Sequence, residues 1–157
     1  MGPTDINGLP AHALLVHFVV IFVPVAAAAV LLSVFWPAAR ARLGIVTPLV
    51  AFGALVSVPI TTHAGQWLKD HIGGTSPLIQ RHAQLGGELL PWVLGLFVVA
   101  AGQWVWFRWY APRRAARSTG TFAVLCVLAV VVSVGSVVQV YRIGDSGSKA
   151  VWSGVTR

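Results

Sequence analysis

Four apolar runs, separated by short polar breaks, govern what this chain can fold into: about Ala11–Trp36, Gly44–Lys69, His82–Trp109 and Gly120–Tyr141. A helix rises ~1.5 Å per residue, so each run is long enough to cross ~30 Å of hydrocarbon. The breaks Pro37–Leu43, Asp70–Arg81 and Tyr110–Thr119 are too short to let successive helices run the same way. The expected fold is therefore all-α: a single transmembrane domain over residues 1–157, an integral membrane four-helix bundle of up-down-up-down topology with a polar tail over residues 142–157. Pro24, Pro48, Pro59 and Pro91 fall inside or near the ends of these helices, where neighbouring groups must take over the freed carbonyls.

Composition agrees with lipid as the solvent. Of 157 residues 57% are hydrophobic and 10% charged, with a mean hydropathy of +0.80. A domain of this size has too little interior to hide so much apolar surface from water. The net charge of +7 comes from basic residues placed beside the apolar runs, where they set topology and touch anionic head groups. No basic stripe is interleaved with exposed aromatics, so nucleic acid is excluded as a partner. Cys126, the one cysteine, lies within an apolar run and reads as a small packing residue. The first run is too long for the core of a cleaved signal and is read as a retained helix.

Arg40, Arg42, Arg108, Arg113, Arg114 and Arg117 cluster at the first and third breaks without any acidic residue. The other end mixes Lys69, Arg81, Arg142, Lys149 and Arg157 with Asp5, Asp70 and Asp145. By the positive-inside rule the arginine-rich end faces the cytoplasm of a bacterial cell and both termini face outward. Trp36, Trp104, Trp106 and Trp109 then form the inner aromatic belt, and Trp67 belongs to the outer one.

All five histidines, His12, His17, His63, His71 and His82, fall toward the outer end. His17, His63 and Glu88 lie at similar depths on three helices, roughly 9 Å in for the two histidines. Gln139 comes near that level on the fourth. His63, Gln66 and Asp70 share i, i+3, i+7 spacing, as do Arg81, Gln84 and Glu88, while Ser136, Gln139 and Arg142 are spaced by threes. Each set is a polar stripe that is expected to face the bundle interior, because exposing ionisable groups to lipid costs several kcal/mol.

Three chemistries compete for this layer. A b-type haem fits between His17 and His63, with Arg81, Lys69 or Arg142 for its propionates and room beside Gly65, Gly86 and Gly87. A bare zinc, copper or iron site fits His17, His63 and Glu88, or His12 and His82 nearer the surface. A cofactor-free hydrogen-bond network that orients the helices uses the same residues. His71, in the stretch His71-Ile72-Gly73-Gly74, reads as solvated. The inner half has no histidine, so a haem here exchanges electrons on the outer face and is not one of a stacked pair. Nothing resembles a catalytic triad, a phosphate loop or a paired-carboxylate site; Ser57, Ser133 and Ser136 have no neighbouring base. The tail from Gly144 to Trp152 is either a frayed end or a segment that folds Trp152 over the outer mouth.

Three stretches, Asn7-Gly8-Leu9-Pro10-Ala11-His12-Ala13-Leu14-Leu15-Val16-His17-Phe18, Arg81-His82-Ala83-Gln84-Leu85-Gly86 and Val140-Tyr141-Arg142-Ile143-Gly144-Asp145-Ser146-Gly147 on to Trp152, are similar to those of a known group. Together they resemble a bacterial family of four-helix membrane proteins classed as a domain of unknown function (2231 type), in its actinobacterial form. In that family the opening reads His-Pro, a few apolar residues, then Val-His; here Ala13 replaces the proline while His12 and His17 match. Asp145 stands where the family often has a histidine. The resemblance implies the four-helix fold and a redox or haem-associated role, and it points to His12, His17 and His82, which leaves a pairing of His12 or His17 with His82 open.

The reading taken forward is a multi-pass, non-enzymatic subunit of the bacterial plasma membrane with an outer-face histidine site for b-type haem in electron transfer. Its alternatives are a cofactor-free accessory subunit of a larger respiratory membrane complex, and a zinc- or copper-binding membrane protein.

Overall fold

The structure is a computed structural model, and it describes residues 5–6, 9–73, 76–110 and 119–152. Two-residue strands β1 (Asp5–Ile6) and β2 (Leu9–Pro10) pair antiparallel ahead of the helices. The helices are α1 (Ala11–Phe35), α2 (Pro37–Leu43), α3 (Val46–His71), α4 (Pro77–Gly87), α5 (Leu89–Val105) and α6 (Thr119–Trp152), with a π-helical turn at Trp106–Tyr110. Four spans are long and apolar enough to cross a membrane: Ala11–Phe35, Val46–His71, Pro77–Tyr110 and Thr119–Trp152. They close a ring. α1 packs on α3 and α6, and α5 packs on the same two from the opposite corner, so each span lies beside its neighbours in sequence. This is the all-α up-down-up-down membrane bundle that the apolar runs predict. The arginines at 113, 114, 117 and 157, and Asn7-Gly8 of the opening motif, lie outside the described residues.

The packing has the sign expected in lipid. Small residues are frequent in the interior, Ala26, Ala27, Ala51, Ala54, Ala100 and Ala129 with Ser33, Ser133 and Ser136, beside Val23, Val30, Val93 and Leu96. Large apolar side chains such as Phe18, Ile21, Phe52, Val98 and Val127 lie on the outside. Lipid tails are as apolar as leucine, so helix association depends on close backbone approach and buried hydrogen bonds. Ser33 and Thr47 share a hydroxyl bond of 3.0 Å between α1 and α3, and Ser133 Oγ donates to the Ala27 carbonyl at 3.3 Å between α6 and α1. A Cβ on Gly135 would overlap the Trp92 ring, so that glycine is what lets α5 and α6 meet.

Local chemistry sets the helix ends. Trp36 is extended (φ −122°, ψ 102°) because the ring of Pro37 bars it from the helical region. Gly44 ends α2 and Gly73 follows α3, with φ of 46° and 64° that side chains resist. The first break, Pro37–Leu43, is therefore the short helix α2.

Two expectations are corrected. The third span begins at Pro77 and is interrupted at Glu88, where a continuous helix from His82 was expected. Pro91 has no N–H for the Gly87 carbonyl four residues back, and its ring crowds that carbonyl. The break puts the Leu85 carbonyl within reach of the Gln139 amide on α6, which donates to it at 2.9 Å. The tail also stays helical to Trp152, which is exposed. Lys149 pairs with Asp145 one turn back at 2.7 Å, and α4 packs along this part of the bundle, so the polar segment is supported on both sides.

Candidate functional site

Antiparallel order brings the start of α1, the end of α3, the start of α4 and the last turns of α6 to one end. His12 is the second residue of α1 and His82 sits midway along α4. Their rings meet edge to face, with centroids 6.2 Å apart and planes at 81°. Both side chains are half-buried.

Each imidazole is held from behind by another helix. His12 Nδ1 lies 3.0 Å from the Thr61 carbonyl of α3. His82 Nδ1 lies 3.2 Å from the Ile143 carbonyl and 3.1 Å from Ser146 Oγ, both on α6. A carbonyl can only accept, so Nδ1 is the donor nitrogen on both rings, and Nε2 is the nitrogen that a neutral ring would offer a ligand. Ser146 Oγ itself donates to the Ile143 carbonyl at 2.8 Å.

Each ring also rests on a glycine. A Cβ on Gly65 would come within 2.8 Å of His12 Cε1 and Nδ1, and one on Gly147 within 3.0 Å of His82 Cε1. Any larger residue at Gly65 forces the ring to move. Fixed tautomers on fitted seats are the arrangement that metal-ligating histidines have in general.

A second polar group lies one turn deeper, at the break between α4 and α5. Glu88 accepts from Gln84 Nε2 and from Gln139 Nε2, each at 3.4 Å, and Arg142 Nη1 donates to Gln139 Oε1 at 3.2 Å. The stripes expected on α4 and α6 therefore touch, but not in the interior as expected: Arg81, Gln84, Glu88 and Arg142 are exposed, and only Ser136 and Gln139 are buried.

The stripe on α3 does not. His63, Gln66 and Asp70 are exposed, and Gln66 bonds to Asp70 on their own helix at 3.3 Å. His17 is exposed too, its Nδ1 turned back to the Ala13 carbonyl at 2.8 Å. Rotation explains both cases. Five residues turn a helix by about 140° beyond one full circle, so His12 and His17 cannot face the same way. His63 lies two residues from both Thr61 and Gly65, on the far side of α3 from His12. Arg81 is exposed beside His82, and His71 stacks on Trp67 at 4.9 Å. Among the described residues, no three of His, Cys, Asp and Glu come together as a metal-binding group.

Residues 8–157 match a family described as predicted membrane proteins, DUF2231. The chain belongs to that family. No curated protein and no solved structure matches it. In this DUF2231 chain the sequence reading missed Thr61, Ser146, Gly65 as a seat, and Gly147. Small residues flanking a polar stripe are the signal that could have pointed to the two glycines.

Proposed function

We propose that this membrane protein holds a b-type haem at its histidine end, with His12 and His82 as the two axial ligands, and serves as a non-enzymatic electron-transfer subunit of a respiratory complex. One observation carries the proposal: two imidazoles from different helices meet with both Nδ1 atoms occupied, leaving two Nε2 lone pairs to give. Their 6.2 Å centroid spacing is near the roughly 6 Å of two imidazoles that share one metal atom through nitrogens about 2 Å from it, and ligation would turn the edge-to-face rings until both Nε2 atoms aim at that atom.

The donor set favours haem over a bare ion. Zinc takes three or four protein ligands as a rule, and this pair offers two. A haem iron needs only its two axial ligands from protein. When bound, it would supply one-electron redox chemistry. The chain's share is to hold the imidazoles, through Thr61 and Ile143, and to offer Arg81 and Lys69 at the rim for propionates. With the histidine end outward by the positive-inside rule, electrons exchange with partners or quinol at the outer face of the plasma membrane.

A second reading, the cofactor-free accessory subunit, is favoured by the fact that both Nδ1 bonds join separate helices and so act as staples. A reduced-minus-oxidised absorption spectrum of the protein purified from membranes separates the two. The expected result is a sharp α-band that disappears in His12→Ala and in His82→Ala but persists in His17→Ala and His63→Ala. A colourless preparation carrying stoichiometric zinc or copper overturns haem in favour of the bare ion. A colourless, metal-free preparation that co-purifies with oxidase or dehydrogenase subunits makes the pair a staple.

A further inference from the structure

The two imidazoles stand edge to face, with planes at 81°, so at least one ring has to turn before both Nε2 atoms can aim at a single metal atom. Their anchorage decides which. Ser146 is buried toward the end of α6. Its Oγ spends its one proton on the Ile143 carbonyl at 2.8 Å, so toward His82 Nδ1, 3.1 Å away, it can only accept. The His82 Nδ1–H thus lies between two acceptors from α6, Ser146 Oγ and the Ile143 carbonyl at 3.2 Å. Gly147 closes the same socket, since a Cβ there would come within 3.0 Å of His82 Cε1.

His12 is held less firmly. Its Nδ1 meets one acceptor among the described residues, the Thr61 carbonyl at 3.0 Å. It is also the second residue of α1, behind Pro10, an N-cap that makes no side-chain capping bond. The first turn of a helix has no internal partners for its N–H groups, and helix ends are where a fold opens first. His82 sits midway along α4, which packs against α6.

We propose that the two histidines are unequal ligands: His82 is the fixed one, with Ser146 as the residue that positions it, and His12 is the one that turns to the metal and gives way first. The proposal rests on the haem reading and adds to it how the site is controlled. Turning His82 breaks two hydrogen bonds, whereas turning His12 breaks one. A hydrogen bond from Nδ1–H also makes Nε2 a stronger donor to a metal, and His82 has two acceptors to strengthen it where His12 has one. A haem held this way stays on His82 when His12 leaves, and the position that His12 gives up can take a small neutral donor such as free imidazole. That exchange breaks one iron–nitrogen bond and forms another, and no electron or proton moves.

The test measures haem per chain in the full chain purified from membranes. His12→Ala is expected to keep most of its haem while losing the α-band, and added imidazole is expected to restore the band. His82→Ala is expected to hold at least about tenfold less haem, with no band for imidazole to restore. Ser146→Ala is expected to weaken haem binding about tenfold and to raise the midpoint potential, since a less basic His82 favours the ferric state less. Ser148→Ala, exposed and bonded one turn back to the Asp145 carbonyl at 3.0 Å, is expected to change neither. In the cofactor-free protein, histidine 15N NMR should show the Nδ1–H form of His82 fixed and that of His12 in exchange, with Ser146→Ala freeing His82 as well. Equal haem loss in the two histidine variants, a greater loss in His12→Ala, or an unchanged potential in Ser146→Ala overturns the inequality and leaves the haem reading in place. A parent protein with no α-band sinks the haem reading instead. The NMR comparison then decides alone, and two rings of equal mobility overturn the inequality.

Discussion

The two ends of this bundle treat buried polar groups in opposite ways. At the histidine end they are answered across helices: His12 by the Thr61 carbonyl, His82 by Ile143 and Ser146, and the Leu85 carbonyl by Gln139. At the arginine end the Ser33–Thr47 pair is satisfied, but Gln103 is left open against a cavity. Hydrocarbon supplies no water to rescue a polar atom, so every such atom needs a partner from the protein or from a ligand. The histidine end is a frame that closes on itself and presents two Nε2 atoms. The arginine end is a frame with one piece missing.

The largest effect on this contrast should come from filling a glycine seat. Gly65→Ala puts a methyl group 2.8 Å from the His12 ring, and overpacking of that kind costs about 1–3 kcal/mol. An alanine normally gains roughly 1 kcal/mol over glycine in a helix, so a net loss of stability isolates the steric cost. Gly86→Ala is the control. Its methyl would meet only Thr62 Cγ2 at 3.8 Å, an ordinary contact, and the variant should be as stable as the parent or more so. Detergent unfolding curves of the two check the sign. If both gain equally, His12 is not seated on Gly65.

Next in size is Gln139→Leu. The side chain of Gln139 is buried, and its amide meets both the Leu85 carbonyl and Glu88. Removing it takes away the one side-chain donor that the described residues give that carbonyl at the break between α4 and α5. A loss of about 1–2 kcal/mol is expected, toward the top of what single interhelical hydrogen bonds give in membranes. Steric-trap or denaturant unfolding in bicelles measures it, and an unchanged stability would mean that the break is held by packing alone.

The reach of the sequence can be judged from the same residues. The four spans follow from apolar length alone, since no other structure buries such runs, and the wrong boundaries follow from chemistry that acts at a distance. Pro91 breaks the helix four residues upstream of itself, and the tail stays helical because α4 covers it. The gathering of histidines at one end was legible from their order along antiparallel helices. Which of them face inward was not settled by depth, the criterion that favoured His17 and His63. Rotation decides it, and the five-residue spacing of His12 and His17 already held that information: one of the two had to point away. Gln103 gave no signal of its own, because one amide in an apolar run shows a missing partner only after its surroundings are known.

The smallest effect carries the most information, because its sign is reversed. Gln103→Leu makes the same chemical change as Gln139→Leu, at the same kind of buried position, yet here none of the described residues is bonded to the amide. Replacing an unpartnered polar group with an apolar one of similar size removes a desolvation cost and adds burial, so in delipidated detergent the variant should gain about 1 kcal/mol. Unfolding of both leucine variants under one condition gives the comparison directly. Opposite signs mean that one end was built to hold itself together and the other to be completed from outside. A loss at both positions would mean that Gln103 has a partner within the folded chain, and the two ends would then differ only in which residues they use.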